Sequence, residues 1–492
     1  MRQERCIKKY TNTENKSERK RYIIMAKKNE LTEKLRYENK NAFSSTDEKE
    51  RTEIFDFCEE YRKFITEAKT EREFCESTCR ELARAGFVPL EEKTSLKAGE
   101  RVYTVNRGKG VIAAVIGAED IRKGISLVGA HIDSPRLDLK PNPLYEDGGM
   151  AFFKTHYYGG IKKYQWTAIP LSIHGVAALT DGTQIKISIG ESEDDPVFCV
   201  TDLLPHLATD QMMKKMHEAI SGENLNVVLG NISCDDEEKE GIKLNILKIL
   251  NEKYDICEED LLSSEIEIVP AFPARDIGFD RSMIGGYGQD DRVCAYTALR
   301  AIIDIKKPQK TAVCLLVDKE EVGSMGATGM KSRNFENVMA KICSLCVSEY
   351  NDIALRDTLS NSTCLSADVG TAFDPNYPEV SEKRNAPIFG GGITLTKYTG
   401  SRGKSGASDA SAEFVAKLRK IFNENGVKWQ IGELGKVDCG GGGTIAQFLA
   451  NLDMDVIDAG TALLSMHSPY EVASKFDIFM TYKAYREFYK NN

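Results

Sequence analysis

The sequence predicts an α/β fold in which a mixed, mostly parallel sheet is flanked by helices. Four short apolar segments each lead into polar or glycine-containing sequence, as buried strands of a parallel sheet do. They are residues 125–130, 311–317, 363–367 and 454–457. Stretches with helical spacing, such as 293–305 and 410–422, alternate with these segments. Because such sheets bind ligands at the carboxyl ends of their strands, the polar residues that follow each segment are candidate site residues.

The composition is that of a globular protein with more than one domain. The chain has 492 residues, a formal net charge of −9 and 41% hydrophobic residues, which suggests two or three domains. The excess of acidic residues disfavours a nucleic-acid partner or an anionic membrane surface. The sequence contains neither an apolar run of membrane-spanning length nor the apolar core of a signal peptide. The thirteen cysteines form no zinc-cluster spacing, so we expect free thiols and a cytoplasmic location.

The composition and residue pattern of the sequence change along the chain, and these changes predict its domain boundaries. Residues 1–42 are expected to be a charged, disordered leader. A main domain begins at residue 43, with an amphipathic helix expected over residues 47–85. Residues 141–273 contain alternating and acid-rich segments without the strand-to-carboxylate pattern, which predicts an inserted, mainly β domain. The main domain therefore comprises 43–140 and 274–492.

Histidines and paired carboxylates are the candidates for chemistry. His131 lies two residues before Asp133, a spacing at which a carboxylate can orient an imidazole ligand. Two acids follow a glycine-rich turn at 290–291, and Glu320 and Glu321 follow the apolar segment 311–317. Taken alone, the glutamate pair is more typical of a charged loop.

Adjacent acids repel each other in a buried site when no Lys or Arg lies nearby to neutralise both of them. A cation between the two acids would remove this repulsion. A divalent metal ion supplies such charge. His467, which follows another apolar stretch, adds a second imidazole to the candidate set. Two histidines with several carboxylates at strand ends are the ligands of a dinuclear zinc site, and an acid beside a ligand can act as general base.

Five ordered motifs resemble the family of aspartyl aminopeptidases and aminopeptidase I, which are dinuclear zinc exopeptidases. They are VGAHIDSPRL at 128–137, QDDR at 289–292, DKEEVGS at 318–324, SAD at 366–368 with DPNY at 374–377, and LSMHS at 464–468. The resemblance extends from about residue 43 to the end of the chain. It implies a zinc-exopeptidase fold with a split catalytic domain, an inserted dimerisation domain at about 141–273, and a homododecamer built from dimers.

The resemblance also implies a role for each motif residue. Asp290 would bridge the two metal ions, and Asp291 is the less expected ligand. Glu320 would be the general base, and Asp133 would orient His131. The expected metal ligands are His131, Asp290, Glu321, Asp368 and His467.

Departures from the family pattern concern substrate binding. The aspartyl-specific members resemble this chain near His206, but Asp210 stands where they have a second histidine. The aspartyl-specific members also have a lysine near here, and Lys397 of this chain is shifted in position relative to it. A substrate-binding role is expected for His206, Lys397 and Gly441, the last because a glycine run can expose backbone N–H groups to the cleft. Neutral or apolar first residues are therefore at least as plausible as acidic ones.

Several functional alternatives are compatible with the sequence. The leading hypothesis is an aminopeptidase that removes N-terminal residues from peptides with a free amino terminus. A related metal-dependent amidase or deacylase would use the same metal pair, and an inactive oligomeric scaffold could retain the fold. Zinc is the expected metal, although imidazole and carboxylate ligands also suit cobalt or manganese.

Overall fold

The computed structural model describes residues 31, 35–37, 39–234 and 239–492. The predicted leader, residues 1–42, lies mostly outside these described residues. Residues 41–492 form one compact unit. No helix within the described residues combines the length and apolar composition needed to cross a membrane.

The centre of this unit is a mixed sheet that contains, within the described residues, nine strands. Four neighbouring strands at its middle run parallel, and three of the eight strand pairs are antiparallel. The predicted mixed, mostly parallel sheet is therefore confirmed. In sheet order the strands are Val88–Pro89, Arg101–Val105, Val111–Val115, Thr311–Val317, Ile125–His131, Thr363–Ser366, Asp455–Gly460, Ile393–Thr396 and Trp429–Ile431.

Both faces of this sheet are covered by helices, because its central strands carry apolar side chains on both sides. Alternate residues of Ile125–His131 separate into two cores. Val128 and Ala130 pack with helices Glu48–Glu67, Gln289–Ile303 and Lys475–Asn491. Ile125 and Leu127 pack with the opposite layer. Its helices are Asn334–Cys346, Asp352–Ser360 and Ala446–Ala450.

The prediction of one continuous helix over residues 47–85 is wrong, because two helices are present in this range. The first, Glu48–Glu67, buries Ile54, Cys58, Tyr61 and Ile65 at helical spacing, and the Asp47 side chain caps its first turn. The second, Glu71–Arg84, begins with a capping box between Thr70 and Glu73. This reciprocal cap satisfies backbone N–H donors at the N-terminus of the second helix. The helical region is therefore interrupted there.

A second sheet, separate from the central one, lies between residues 136 and 270. In the described part of the chain it has seven strands, and every neighbouring pair is antiparallel. Its order is Gln184–Ile189, Leu171–Ala178, Ser264–Pro270, Arg136–Asp147, Met150–Tyr158, Val227–Gly230 and Cys199–Val200. The same region contains the helices Thr209–Met212, Met216–Ala219 and Gly241–Tyr254.

Two smaller sheets complete the fold of the described part of the chain. The larger contains, among the described residues, the strands Arg275–Ile277, Met283–Gly286, Glu471–Ser474, Ala462–Leu464 and Gly370–Thr371. The smaller pairs Gly400–Ser401 with Gly441–Gly442. The remaining α-helix of the described chain is Ala412–Glu424. The described cysteines are free thiols, as predicted.

Candidate metal centre

The candidate site lies where the central parallel strands end. The register pairs Val317 with His131 and Ser366 with Gly129, so these neighbouring strands end within two residues of one another at the same edge of the sheet. Asp133, Glu320, Glu321 and Asp368 follow these strand ends within four residues. The alignment brings together side chains that lie far apart in sequence.

The other two candidate ligands, Asp290 and His467, reach the site from elements outside these strands. Asp290 lies in the first turn of helix Gln289–Ile303, where it is buried. His467 follows strand Ala462–Leu464 in a turn with a left-handed backbone, φ 63°. The structure thus brings all five predicted metal ligands and Glu320 to one site.

Asp290 lies between the two histidines and presents a different oxygen to each. Its Oδ1 atom is 3.3 Å from His131 Nε2, and its Oδ2 atom is 3.1 Å from His467 Nε2. His467 Nε2 also lies 3.5 Å from Glu321 Oε1. Among the described residues, potential ligand atoms within 4.8 Å of one another form two groups that share Asp290. The groups are His131, Asp290 and Asp368, and Asp290, Glu321 and His467.

The tautomers of both histidines follow from their backbone contacts. His131 Nδ1 lies 3.0 Å from the carbonyl oxygen of Asp133, and His467 Nδ1 lies 2.9 Å from that of Gly160. A carbonyl oxygen only accepts, so each Nδ1 must be the protonated donor. In a neutral ring the lone pair is then on Nε2, the nitrogen that faces Asp290, which is the arrangement of a metal-ligating histidine.

The carboxylates of the site suit bound cations, because without cations their negative charges are poorly compensated. Burial, with the charge of Asp290, raises the pKa of Glu321 well above its ordinary value. Burial, with the charge of Asp291, does the same to the pKa of Asp368. Glu321 Oε1 is buried and has no hydrogen-bond partner among the described residues. Divalent cations would stabilise the ionised form of these groups, so the donor set fits metal ions.

Asp133 and Asp291 differ in their surroundings. Asp133 Oδ1 lies 3.3 Å from His131 Nδ1 and accepts a hydrogen bond from the backbone N–H of Glu320, while Oδ2 accepts from that of Glu321. The carboxylate therefore holds the loop that carries the glutamate pair, in addition to contacting His131. Asp291 is buried but belongs to neither group of potential ligands, and burial raises the pKa of its carboxyl.

A cleft of about 240 Å³ opens onto the site. Glu320 lines it together with residues from both potential ligand groups, so its carboxylate is accessible to a bound molecule. The farther walls comprise threonines, glycines and aliphatic side chains, with two further carboxylates, Glu433 and Asp458. Of the described residues that line this cleft, none is Lys or Arg.

The three predicted substrate-binding residues lie in different places. Gly441 lines the cleft. Lys397 lies outside its lining and forms an ion pair with Asp409 at 3.7 Å. His206 is exposed in a short helical turn, Pro205–Leu207, and also lies outside the lining. The roles expected for these residues stay predictions.

Sequence reasoning missed two residues that support the site. Tyr158, on strand Met150–Tyr158 of the antiparallel sheet, donates its hydroxyl to Asp133 Oδ2 at 2.8 Å. Glu471 accepts hydrogen bonds from the backbone N–H groups of Asp290 and His467. The sequence signal for Glu471 is an acidic residue that directly precedes the apolar pair Val472-Ala473, four residues after His467. The signal for Tyr158 is an aromatic pair before two glycines.

Comparison with known proteins assigns the family. The family model described as "Aminopeptidase I zinc metalloprotease (M18)" matches residues 64–489. A probable M18 family aminopeptidase 1 from Clostridium acetobutylicum is 54% identical over 459 residues, covering 92% of this chain and 98% of that protein.

Solved structures agree with this assignment. The crystal structure of an M18 family aminopeptidase from Thermotoga maritima has a TM-score of 0.89 at 50% identity, covering 93% of this chain and 100% of that one. A structure of the Saccharomyces cerevisiae mApe1 dodecamer shares the fold, with a TM-score of 0.71 at 22% identity over 88% of this chain and 96% of that one. The chain therefore belongs to the M18 family of aminopeptidases, which are exopeptidases of the zinc metalloprotease class.

Proposed function

We propose that this aminopeptidase holds two divalent metal ions, most readily zinc, with cobalt or manganese as chemical alternatives. His131 and Asp368 would hold one ion, Glu321 and His467 the other, and Asp290 would bridge them. The observation that carries the proposal is the position of Asp290, whose two oxygens face different histidines at 3.3 Å and 3.1 Å. When bound, the ions would polarise the scissile carbonyl and make an attacking water more acidic.

Glu320 would be the general base of peptide hydrolysis. Its carboxylate lines the cleft beside the shared ligand Asp290, and burial raises its pKa. A raised pKa favours transient retention of a proton. Glu320 would accept a proton from the attacking water and deliver it to the leaving amine. Asp133 would hold Glu320 at its place through the backbone contact and also restrain His131.

The substrates would be peptides with a free amino terminus. The cleft offers carboxylates and no Lys or Arg among its described lining residues, so an acidic first side chain would meet like charge. Threonine, Leu434 and Met466 side chains provide contacts for uncharged groups. We therefore expect neutral and basic first residues to be preferred over acidic ones.

This function is tested by hydrolysis of a panel of aminoacyl amides with acidic, basic and apolar side chains. The expected result is release from neutral and basic substrates at kcat/KM values at least about tenfold above those for acidic substrates, a difference of about 1.4 kcal/mol. Chelation should abolish release, and added zinc or cobalt should restore it. N-blocked amides serve as controls. Metal-dependent cleavage of blocked amides alone would support the amidase alternative, and metal-independent release would contradict the proposed mechanism. No release of any kind would support the scaffold.

The domain division also belongs to this proposal. Residues 43–140 and 274–492 would form the catalytic domain, and 141–273 an inserted dimerisation domain. The separate antiparallel sheet between residues 136 and 270 supports the division. Within residues 203–216 of the inserted region, six large apolar side chains are half or more exposed, a typical feature of association surfaces. They are Leu203, Leu204, Leu207, Met212, Met213 and Met216.

This chain would assemble as a homodimer and further as a homododecamer, as in the solved mApe1 dodecamer. Replacing both Leu207 and Met213 with Glu should yield smaller species in size-exclusion chromatography with light scattering, because charge would enter an apolar contact. Ile353→Glu is the matched control, since Ile353 is 60% exposed on helix Asp352–Ser360. A monomeric wild type, or an unchanged mass in the double variant, would contradict the proposed surface.

A further inference from the structure

Glu471 connects the two parts of the chain that supply Asp290 and His467. Its side chain is buried, with the residue 1% exposed. Oε1 accepts a hydrogen bond from the backbone N–H of His467 at 2.7 Å, and Oε2 accepts one from that of Asp290 at 3.1 Å. One carboxylate thus restrains the backbones of two residues that lie far apart in the chain.

The neighbouring sheet places Glu471 between these two segments. Strand Glu471–Ser474 pairs on one side with Met283–Gly286, where Gly286 is opposite Glu471. On the other side it pairs with Ala462–Leu464, where Leu464 is opposite Val472. Asp290 follows the first partner strand, and His467 follows the second. The sheet sets the approximate spacing of these segments, and the Glu471 carboxylate spans the remaining gap.

The Glu471 backbone contributes to the same arrangement. Its carbonyl oxygen accepts a hydrogen bond from Gln289 Nε2 at 2.7 Å, so the residue immediately before Asp290 is held as well. Gln289 is itself fully buried, and its Oε1 accepts from the hydroxyl of Tyr61. Burial strengthens these hydrogen bonds, because water does not compete for the backbone donors inside the protein.

We propose that Glu471 is a positioning residue that sets the separation of Asp290 and His467 and thereby raises the metal affinity of the site. This inference rests on the proposed ligand roles of Asp290 and His467. Glu471 does not line the cleft, so it acts through the two ligand backbones and not on the substrate. Residues that orient ligands in this way typically change metal affinity by about 10- to 100-fold when replaced.

Glu471→Gln is the informative substitution, because glutamine keeps the size of the side chain but offers one acceptor oxygen and one donor amide. One of the two backbone N–H groups would then face a donor. The expected result is a fall in zinc affinity of about 10- to 100-fold, measured by competition with a chromogenic chelator. At saturating zinc, kcat should recover in large part and KM should stay near the wild-type value, because the ligands and Glu320 remain.

Asp477→Asn is the matched control. Asp477 is fully buried, and its two carboxylate oxygens accept from the backbone N–H groups of Gly390 and Gly392 at 2.9 Å and 2.7 Å. It therefore has the same bonding pattern as Glu471, but it restrains a loop that contains no proposed ligand. The control should lower the thermal unfolding temperature and leave the zinc affinity at the wild-type value.

The outcomes separate this inference from the proposed function. Unchanged zinc affinity in Glu471→Gln, or an equal loss in both variants, would overturn the positioning role. Failure of the wild-type chain to bind zinc would refute the metal site itself. If Glu471→Gln does not fold, Glu471→Asp replaces it: the shorter side chain keeps the charge but reaches less far, and an intermediate loss of affinity is expected.

Discussion

Replacing Glu320 with Gln should lower kcat for aminoacyl amide hydrolysis by about 10²- to 10⁴-fold, the usual contribution of a general base. Glutamine has nearly the same shape but cannot accept the proton of the attacking water. The metal content should stay at the wild-type value, because Glu320 belongs to neither group of potential ligands. The measurement combines steady-state kinetics with elemental analysis of the purified protein.

Glu379→Gln is the control for this substitution, since Glu379 is an exposed acid in the turn Pro378–Val380 and lies outside the cleft lining. Its kcat and metal content should equal those of the wild type. Full activity of Glu320→Gln would remove Glu320 from the mechanism. Loss of metal together with activity would instead identify Glu320 as a ligand, against the proposed assignment.

Asp290→Asn should have the largest effect on metal binding. Elemental analysis is expected to give about two ions in the wild-type chain, since two ligand groups share one carboxylate. The substitution removes the charge that faces both histidines, so both ions should be lost and activity should fall to that of the chelated wild type. Without the ions, burial would favour the protonated, uncharged form of Glu321 and Asp368.

Asp368→Asn is the comparison, because Asp368 belongs to only one of the two groups. This variant should retain the ion held by Glu321 and His467 while losing affinity at the other position. Equal retention of metal in Asp290→Asn and the wild type would exclude the bridge. Loss of both ions in Asp368→Asn would indicate that the two positions bind metal cooperatively. That result would contradict the expectation that Glu321 and His467 retain their ion independently.

The main features of the fold and the candidate metal ligands could be predicted from the sequence because most of their signals are local. Apolar runs that end in His131, Asp318 or Asp368 mark buried strands with polar residues at their carboxyl ends. Parallel pairing then brings these ends together without further information. The break between the first two helices also had a local signal, since Thr70 and Glu73 have capping-box spacing; the hydrophobic periodicity on either side concealed it.

Cleft-lining residues depend on strand register, which the sequence alone left open. Thr394 and Thr396 line the cleft, whereas Leu395 is buried on the opposite face of the same strand. Lys397 lies just beyond this strand, Ile393–Thr396, and pairs with Asp409. Because side chains alternate along a strand, a shift of one residue decides whether a lysine reaches the substrate.

The sequence by itself determined the candidates for the metal-binding and acid–base chemistry, through polar residues at strand ends and through ordered motifs that resemble one family. Only the tertiary structure decided what holds them in place. Tyr158 reaches Asp133 from the antiparallel sheet, and Glu471 joins Asp290 to His467 across a third sheet. Such support comes from contacts between segments far apart in the chain, which no local periodicity encodes, so it became visible only once the sheets were assembled.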